Sequence, residues 1–221
     1  MIRIIQFIAF VAVCFLLCAG APSSLQTIIA AQPVSSEASF PQTGVLSAFT
    51  GTNGTNPTGF TEAVGGVQIQ SNQCTGDAVA TNVAVWNTTY TSDNIENYIT
   101  MPVLPSGNYD INLYIADSGF DGYALVIDRV AETDTFQVYQ LDAGSNGDPI
   151  GAAESQEVSA GDSVGFYKNG STLQMWYKAA AGSWTQIGAN RTDSTYSGCD
   201  TLAFGLFDTT VRVDDFGGGT P

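Results

Sequence analysis

Past Ala21 the chain keeps no helical period. Apolar and polar residues alternate in short runs separated by Gly, Asn, Asp and Ser clusters: Val45–Thr50, Gly66–Gln70, Val79–Trp86, Ile95–Met101, Tyr109–Ala116, Tyr123–Val130, Thr135–Leu141, Ser163–Lys168, Thr172–Lys178, Thr201–Phe207 and Thr210–Phe216. A period of two, broken by turn residues at this spacing, predicts roughly a dozen short strands. Strands of that number and length predict an all-β sandwich of two antiparallel sheets.

The same alternation assigns faces. In Tyr109–Ala116, the residues Tyr109, Ile111, Leu113 and Ile115 share one side, and Asp110, Asn112 and Tyr114 share the other. The apolar side is expected to pack inward. Leu125 and Ile127, and later Leu202, Phe204 and Leu206, follow the same rule. Burial at about 25 cal/mol per Å² makes these positions the main source of core stability. Asn169-Gly170 between two strand-like runs is a strong hairpin signal, so Ser163–Lys168 and Thr172–Lys178 are expected to pair.

The first residues read differently. Arg3 precedes an apolar run from Ile4 to Leu17, interrupted by Gln6 and followed by Ala19, Gly20 and Ala21. A basic start, an apolar run and a small-residue exit describe a secretory signal peptide, residues 1–21, with an alternative cut after Ala31. Retention as a membrane anchor is the competing reading, because the run approaches the span of a bilayer. Residues 22–42, rich in Ser, Ala, Pro and Gln, read as a flexible lead-in. Residues 43–221 are then one sandwich domain, expected to be secreted or held at the cell surface, without a membrane segment after cleavage.

Charge removes one class of partner. The chain holds 6 basic and 21 acidic residues, no histidine and a net charge of −15. Phosphate backbones need clustered Lys and Arg, so nucleic acid is excluded as a natural partner. Of four cysteines, Cys14 and Cys18 fall in the leader, leaving Cys74 and Cys199. Outside the cell these two are expected to bridge, for about 4 to 5 kcal/mol in the chain-entropy model. Two free buried thiols are the alternative.

Several short signals then combine. They are Gly161-Asp162-Ser163-Val164 before a strand, Asn169-Gly170 at its hairpin, Trp184 after it, Thr192 to Gly198 in a long turn, and Val213-Asp214-Asp215-Phe216 near the end. In order and spacing the chain resembles the concanavalin A-like lectin/glucanase superfamily, in its laminin-G-like branch. The resemblance spans about Val45 to Gly218. It implies a jelly-roll sandwich with one concave sheet, and it leaves function open among lectins, glycan-binding modules, glycosidases, adhesion domains and structural parts.

Glycosidases of that superfamily carry Glu-x-Asp-x-x-Glu or Glu-x-Asp-x-Glu on one strand. Here Glu132-Thr133-Asp134-Thr135 ends in Phe136 and Gln137, so the second glutamate is missing. Retaining hydrolysis needs two carboxyl groups, one attacking and one donating a proton. The plainer reading of Glu132 and Asp134 is a polar hairpin turn. No histidine exists for a Ser-His triad.

For binding, the alternation sets Asn112, Tyr114, Gln137, Tyr139, Gln174 and Trp176 opposite the core-facing residues of their strands. Rings that stack on sugars beside amides that satisfy hydroxyls suit a glycan face. An ordinary solvated face or a protein interface has a similar composition. Trp86 is expected to pack, with Trp184 left open between packing and sugar stacking. Related sandwiches hold structural calcium through oxygen ligands, which points to Asp214 and Asp215 with Asp110. Asn53, Asn87, Asn169 and Asn190 stand in glycosylation sequons. The expectation is a non-catalytic glycan-binding or adhesion module. The alternative is a self-assembling extracellular structural protein that forms homo-oligomers through strand edges and the lead-in; a glycoside hydrolase ranks below both.

Overall fold

The computed structural model describes residues 39–129 and 133–221. Among them are fifteen strands in two antiparallel sheets. Sheet A runs β13 (Thr185–Thr192), β12 (Thr172–Lys178), β11 (Ser163–Asn169), β6 (Asn94–Val103), β15 (Arg212–Gly219), β4 (Cys74–Gly76) and β3 (Val67–Ile69). The short β1 (Val45–Ser47) also pairs with β15. Sheet B runs β10 (Ser145–Ser155), β9 (Thr135–Asp142), β8 (Gly122–Asp128), β7 (Ile111–Ala116), β14 (Thr201–Leu206), β5 (Asn82–Trp86) and β2 (Phe60–Val64).

The core lies between the sheets and is made by the alternation. Ile111, Leu113 and Ile115 of β7 meet Leu202, Phe204 and Leu206 of β14 and Leu125 and Ile127 of β8 on the inner side of sheet B. Ile95, Ile99 and Met101 of β6, Val164 and Phe166 of β11, and Val213 and Phe216 of β15 face them from sheet A. The Asn169-Gly170 hairpin forms as expected, in register from Asn169↔Thr172 to Ser163↔Lys178. Gly170 takes φ +54, the left-handed setting that such a two-residue turn requires. Trp86 packs against Phe60 and Phe216, 5.1 and 6.0 Å between ring centroids.

Three expectations change. Alternation puts Tyr109 with the inward residues of its run, yet β7 begins only at Ile111, and Tyr109 turns back so that its N–H donates to the carbonyl of Gly107. The last residues of the expected lead-in, 39–42, pack on the outer side of sheet A, where Phe40 is buried. The rest of the expected leader and lead-in, with Cys14 and Cys18, lies outside the described residues.

The third correction concerns the disulfide. Cys74 and Cys199 are both free and buried. Cys74 pairs with Val213, which sits between the registers of Val103 and Thr100, at one end of β6. Cys199 follows Gly198, whose N–H donates to Asp93, the residue before the other end of β6. At about 3.3 Å per residue that strand separates them by roughly 20 Å or more, well beyond the Cα spacing a disulfide tolerates. Burial pushes both thiols up, Cys199 to about 11. Both are therefore expected to resist a thiol reagent in the folded chain and to react in denaturant without reductant. Recovery of a peptide linking Cys74 to Cys199 after digestion would contradict this geometry.

Candidate functional site

The six residues expected to share one binding face are divided between the two outer sides of the sandwich. Asn112 and Tyr114 lie on β7 and Gln137 and Tyr139 on β9, all facing out of sheet B. Gln174 and Trp176 lie on β12 and face out of sheet A. Alternation tells the two sides of a strand apart, but it does not tell which sheet the strand joins.

On sheet B the outer residues form their own cluster: Val83, Tyr114, Ala124, Val126, Leu141 and Ala203, with Phe120 and Tyr139 packed against it. Beside it is an open hollow of about 400 Å³. Val83, Asn112, Tyr114 and, at the start of β10, Asn146 line it from the sheet, and Phe120 and Phe207 line it from the loops. Gly205 lies between Val83 and Asn112 in the strand register. A Cβ there would meet the Tyr114 hydroxyl at 2.9 Å, so glycine lets Tyr114 lie across the strand.

The polar groups of the hollow are specific. Asn112 Nδ2 donates to the Tyr114 hydroxyl at 2.8 Å. Asn112 is only 2% exposed, and its Oδ1 has no hydrogen-bond partner. A buried acceptor without a partner costs about 1–3 kcal/mol. Burial, with the charge of Asp110 adding to it and outweighing the Asn112 hydrogen bond, pushes the Tyr114 hydroxyl up to about 12. It stays protonated at neutral pH, and since its oxygen already accepts from Asn112, its proton is the group left to donate.

Gln137 does not join this hollow. Its Nε2 donates to the carbonyls of Val138, Ile150 and Gly151, at 2.8, 3.3 and 3.3 Å, which fastens β10 onto β9. Tyr139 stays half-buried beside Ala124, its register partner.

On sheet A, Gln174 and Trp176 edge an aromatic cluster of Phe40, Tyr98, Tyr167, Trp176 and Trp184. Gln174 Oε1 accepts from Trp176 Nε1 at 3.3 Å, and its Nε2 donates to Asn190 at 3.0 Å, so the amide orients the indole. Phe40 fills the middle, stacked on Trp176 with centroids 5.0 Å apart and planes at 8°. Trp184 meets the same ring edge-on at 4.9 Å, so it packs against the chain's own phenylalanine. The sequence signals for this cluster are Gly165, an isolated glycine inside a strand, and Phe40, a lone aromatic in a polar stretch.

The calcium expectation is not met by the residues named for it. Asp110 sits before β7 on sheet B, where burial first and then the neighbouring Asp128 raise its pKa. Asp214 and Asp215 are on β15 of sheet A, and Asp214 Oδ1 accepts the Asp215 N–H at 2.8 Å. Among the described residues no three His, Cys, Asp or Glu side chains come together where they would hold a metal. Several aspartates instead staple loops: Asp117 accepts from Gly119 and Asp121, Asp121 from Ala143, and Asp193 from Tyr123 and Thr195.

Glu132 lies outside the described residues. Asp134 is fully buried in an ion pair with Arg129 at 2.9 Å, and it accepts the Val158 N–H at 3.0 Å. Its role here is to tie the end of β8 to the residues after β10.

No family model matches the chain, and no curated protein does. Solved structures do. The carbohydrate binding module CBM66 from Bacillus subtilis is 12% identical with a TM-score of 0.57, over 74% of this chain and 96% of that one. The fold is a lectin-type jelly-roll sandwich. The exoplasmic/lumenal domain of VIP36 in its Ca2+-bound form gives a TM-score of 0.59 at 8% identity, over 80% of this chain and 90% of its own. A legume lectin-like domain from Entamoeba histolytica gives 0.53 at 8%, over 74% and 90%.

Proposed function

We propose that this chain is a secreted, non-catalytic glycan-binding module of the concanavalin A-like class, laminin-G-like in pattern, that reads sugar at the outer side of sheet B. The observation that carries the reading is the hollow in which the Tyr114 hydroxyl, held by Asn112, stands beside Phe120 and Val83. The Tyr114 hydroxyl, oriented by Asn112, donates to a sugar oxygen, and Phe120 and Val83 cover an apolar patch of the ring. A volume of about 400 Å³ is within the range of small-ligand sites. The shared fold with a carbohydrate-binding module and lectin-like domains supports the reading. These contacts require no calcium.

The test is a glycan array with the wild-type chain, followed by calorimetry with the best sugar. Saturable binding is expected. Asn112→Ala is expected to weaken it at least tenfold, about 1.4 kcal/mol. Gly205→Val is expected to do the same by pushing Tyr114 aside, while the exposed Val103→Ala leaves affinity unchanged. An array without a binder, or a folded Asn112→Ala variant with wild-type affinity, would overturn the reading.

A further inference from the structure

The outer side of sheet A is built as a socket for one aromatic ring. Across the strands the registered row Trp176, Gly165, Tyr98, Gly217 alternates rings with glycines. Phe40 lies over Gly165, where a Cβ would fall 2.4 Å from its ring. The residues that follow are held by side chains of the sheet. The N–H groups of Gln42 and Thr43 donate to Glu96 Oε1 at 2.9 and 2.6 Å, and the Tyr98 hydroxyl donates to the Thr43 carbonyl at 3.1 Å. Glu96 is fully buried, with Thr43 Oγ1 as a further donor.

Beyond these contacts the arm is joined to the sandwich by Leu46, which packs half-buried against the core, and by a short strand pairing. β1 meets β15 at Val45↔Gly217 and Ser47↔Phe216, with a bulge between them. The chain then turns at Phe49, which is anchored in the core yet held at φ +46. A bulky side chain in the left-handed region is strained, and a short hinge under strain favours exchange of the element it carries.

We propose that residues 39–47 are an exchangeable arm and that the socket takes the Phe40 of a second copy. The socket and the plug are on the same chain, so exchange remakes every contact in trans. Straightening the hinge relieves Phe49, and protein concentration sets the rest of the balance. Reciprocal exchange closes a two-fold dimer. Such a dimer carries two sheet-B hollows, through which weak sugar contacts gain avidity; that consequence rests on the glycan reading, whereas the exchange does not.

The experiment compares the full chain with its Phe40→Ala variant by light scattering over a concentration series. Association through the apolar first residues is common to both and cancels in the comparison. The wild type is expected to pass from monomer to dimer, and Phe40→Ala to lose that step. A labelled peptide of residues 36–45 is expected to bind the Phe40→Ala variant at least tenfold more tightly than the wild type, whose socket is filled. Gly165→Val keeps the plug and blocks the socket, so mixing it with Phe40→Ala is expected to give a heterodimer that neither forms alone. A wild type that stays monomeric, dimers indifferent to Phe40→Ala, or a folded Phe40→Ala variant that ignores the peptide would each overturn the exchange.

Discussion

Phe204→Ala is expected to cost about 3–5 kcal/mol of stability, the full penalty for deleting a well-packed core ring. The Phe204 ring is fully buried and meets Phe49 at 5.8 Å, Phe60 at 5.5 Å and Phe216 at 5.6 Å. Those partners come from the hinge after β1, from β2 and from β15, so both sheets touch this one side chain. Removing it forfeits the transfer energy of the ring and leaves a cavity that three rigid rings are poorly able to close. A domain of this size has about 5–15 kcal/mol in hand, so the denaturation midpoint should fall steeply while the slope stays constant. A loss under about 1 kcal/mol would mean that the rings collapse into the space. The effect also reaches the hollow, because Ala203 and Gly205, the neighbours of Phe204 on β14, belong to the outer side where Tyr114 lies.

Strand β14 is legible in the sequence for the same reason that Phe204 matters. A strand with one side in the core must place an apolar residue at every second position, and β7, β8 and β12 obey that rule. β10 and β13 do not show it. Ser145–Ser155 is exposed along most of its length, and Thr185–Thr192 buries only Ile187 and Arg191, so neither needs an apolar period. Both are edge strands. Their polar, Gly-containing sequences suit edges, and the same property hides them from a pattern search.

The site is legible in part. The outward side chains of β7 and β9 follow from alternation, and Asn112 and Tyr114 do line the hollow. That Trp176 lies on the far side of the sandwich depends on the β11–β12 hairpin joining β6 while the β7–β8 hairpin joins β14, and those two joins are long-range pairings that local sequence does not encode. The cysteines fail for the same reason, since opposite ends of β6 are fixed by register rather than by their positions in the chain. Phe40 reads as part of a polar lead-in because hydrophobic patterning weighs runs, and one ring is not a run. Its meaning comes from Gly165 and Gly217, whose missing side chains make room across three strands.

Asp134→Ala carries the second large effect, about 3 kcal/mol of stability, for an electrostatic reason. Asp134 Oδ2 serves both Arg129 Nη1 and the N–H of Val158, while Arg129 Nη1 also reaches the Val158 carbonyl at 3.2 Å. Deleting the carboxylate leaves a guanidinium whose side chain is 17% exposed without its counter-charge. It also orphans a buried N–H. Asp134→Asn keeps an oxygen for Val158 but loses the charge, so it should fall between alanine and wild type. Adding Arg129→Met to Asp134→Ala should recover part of the loss, because the uncompensated cation is then gone, and the coupling read from the four chains isolates the ion pair. Additive losses in that cycle would show that the pair contributes nothing beyond packing. Whatever the size of the coupling, sugar binding at Asn112 should survive in the folded fraction. The Asp134 knot ties the ends of β8 and β10, and the hollow lies over β7 and β14.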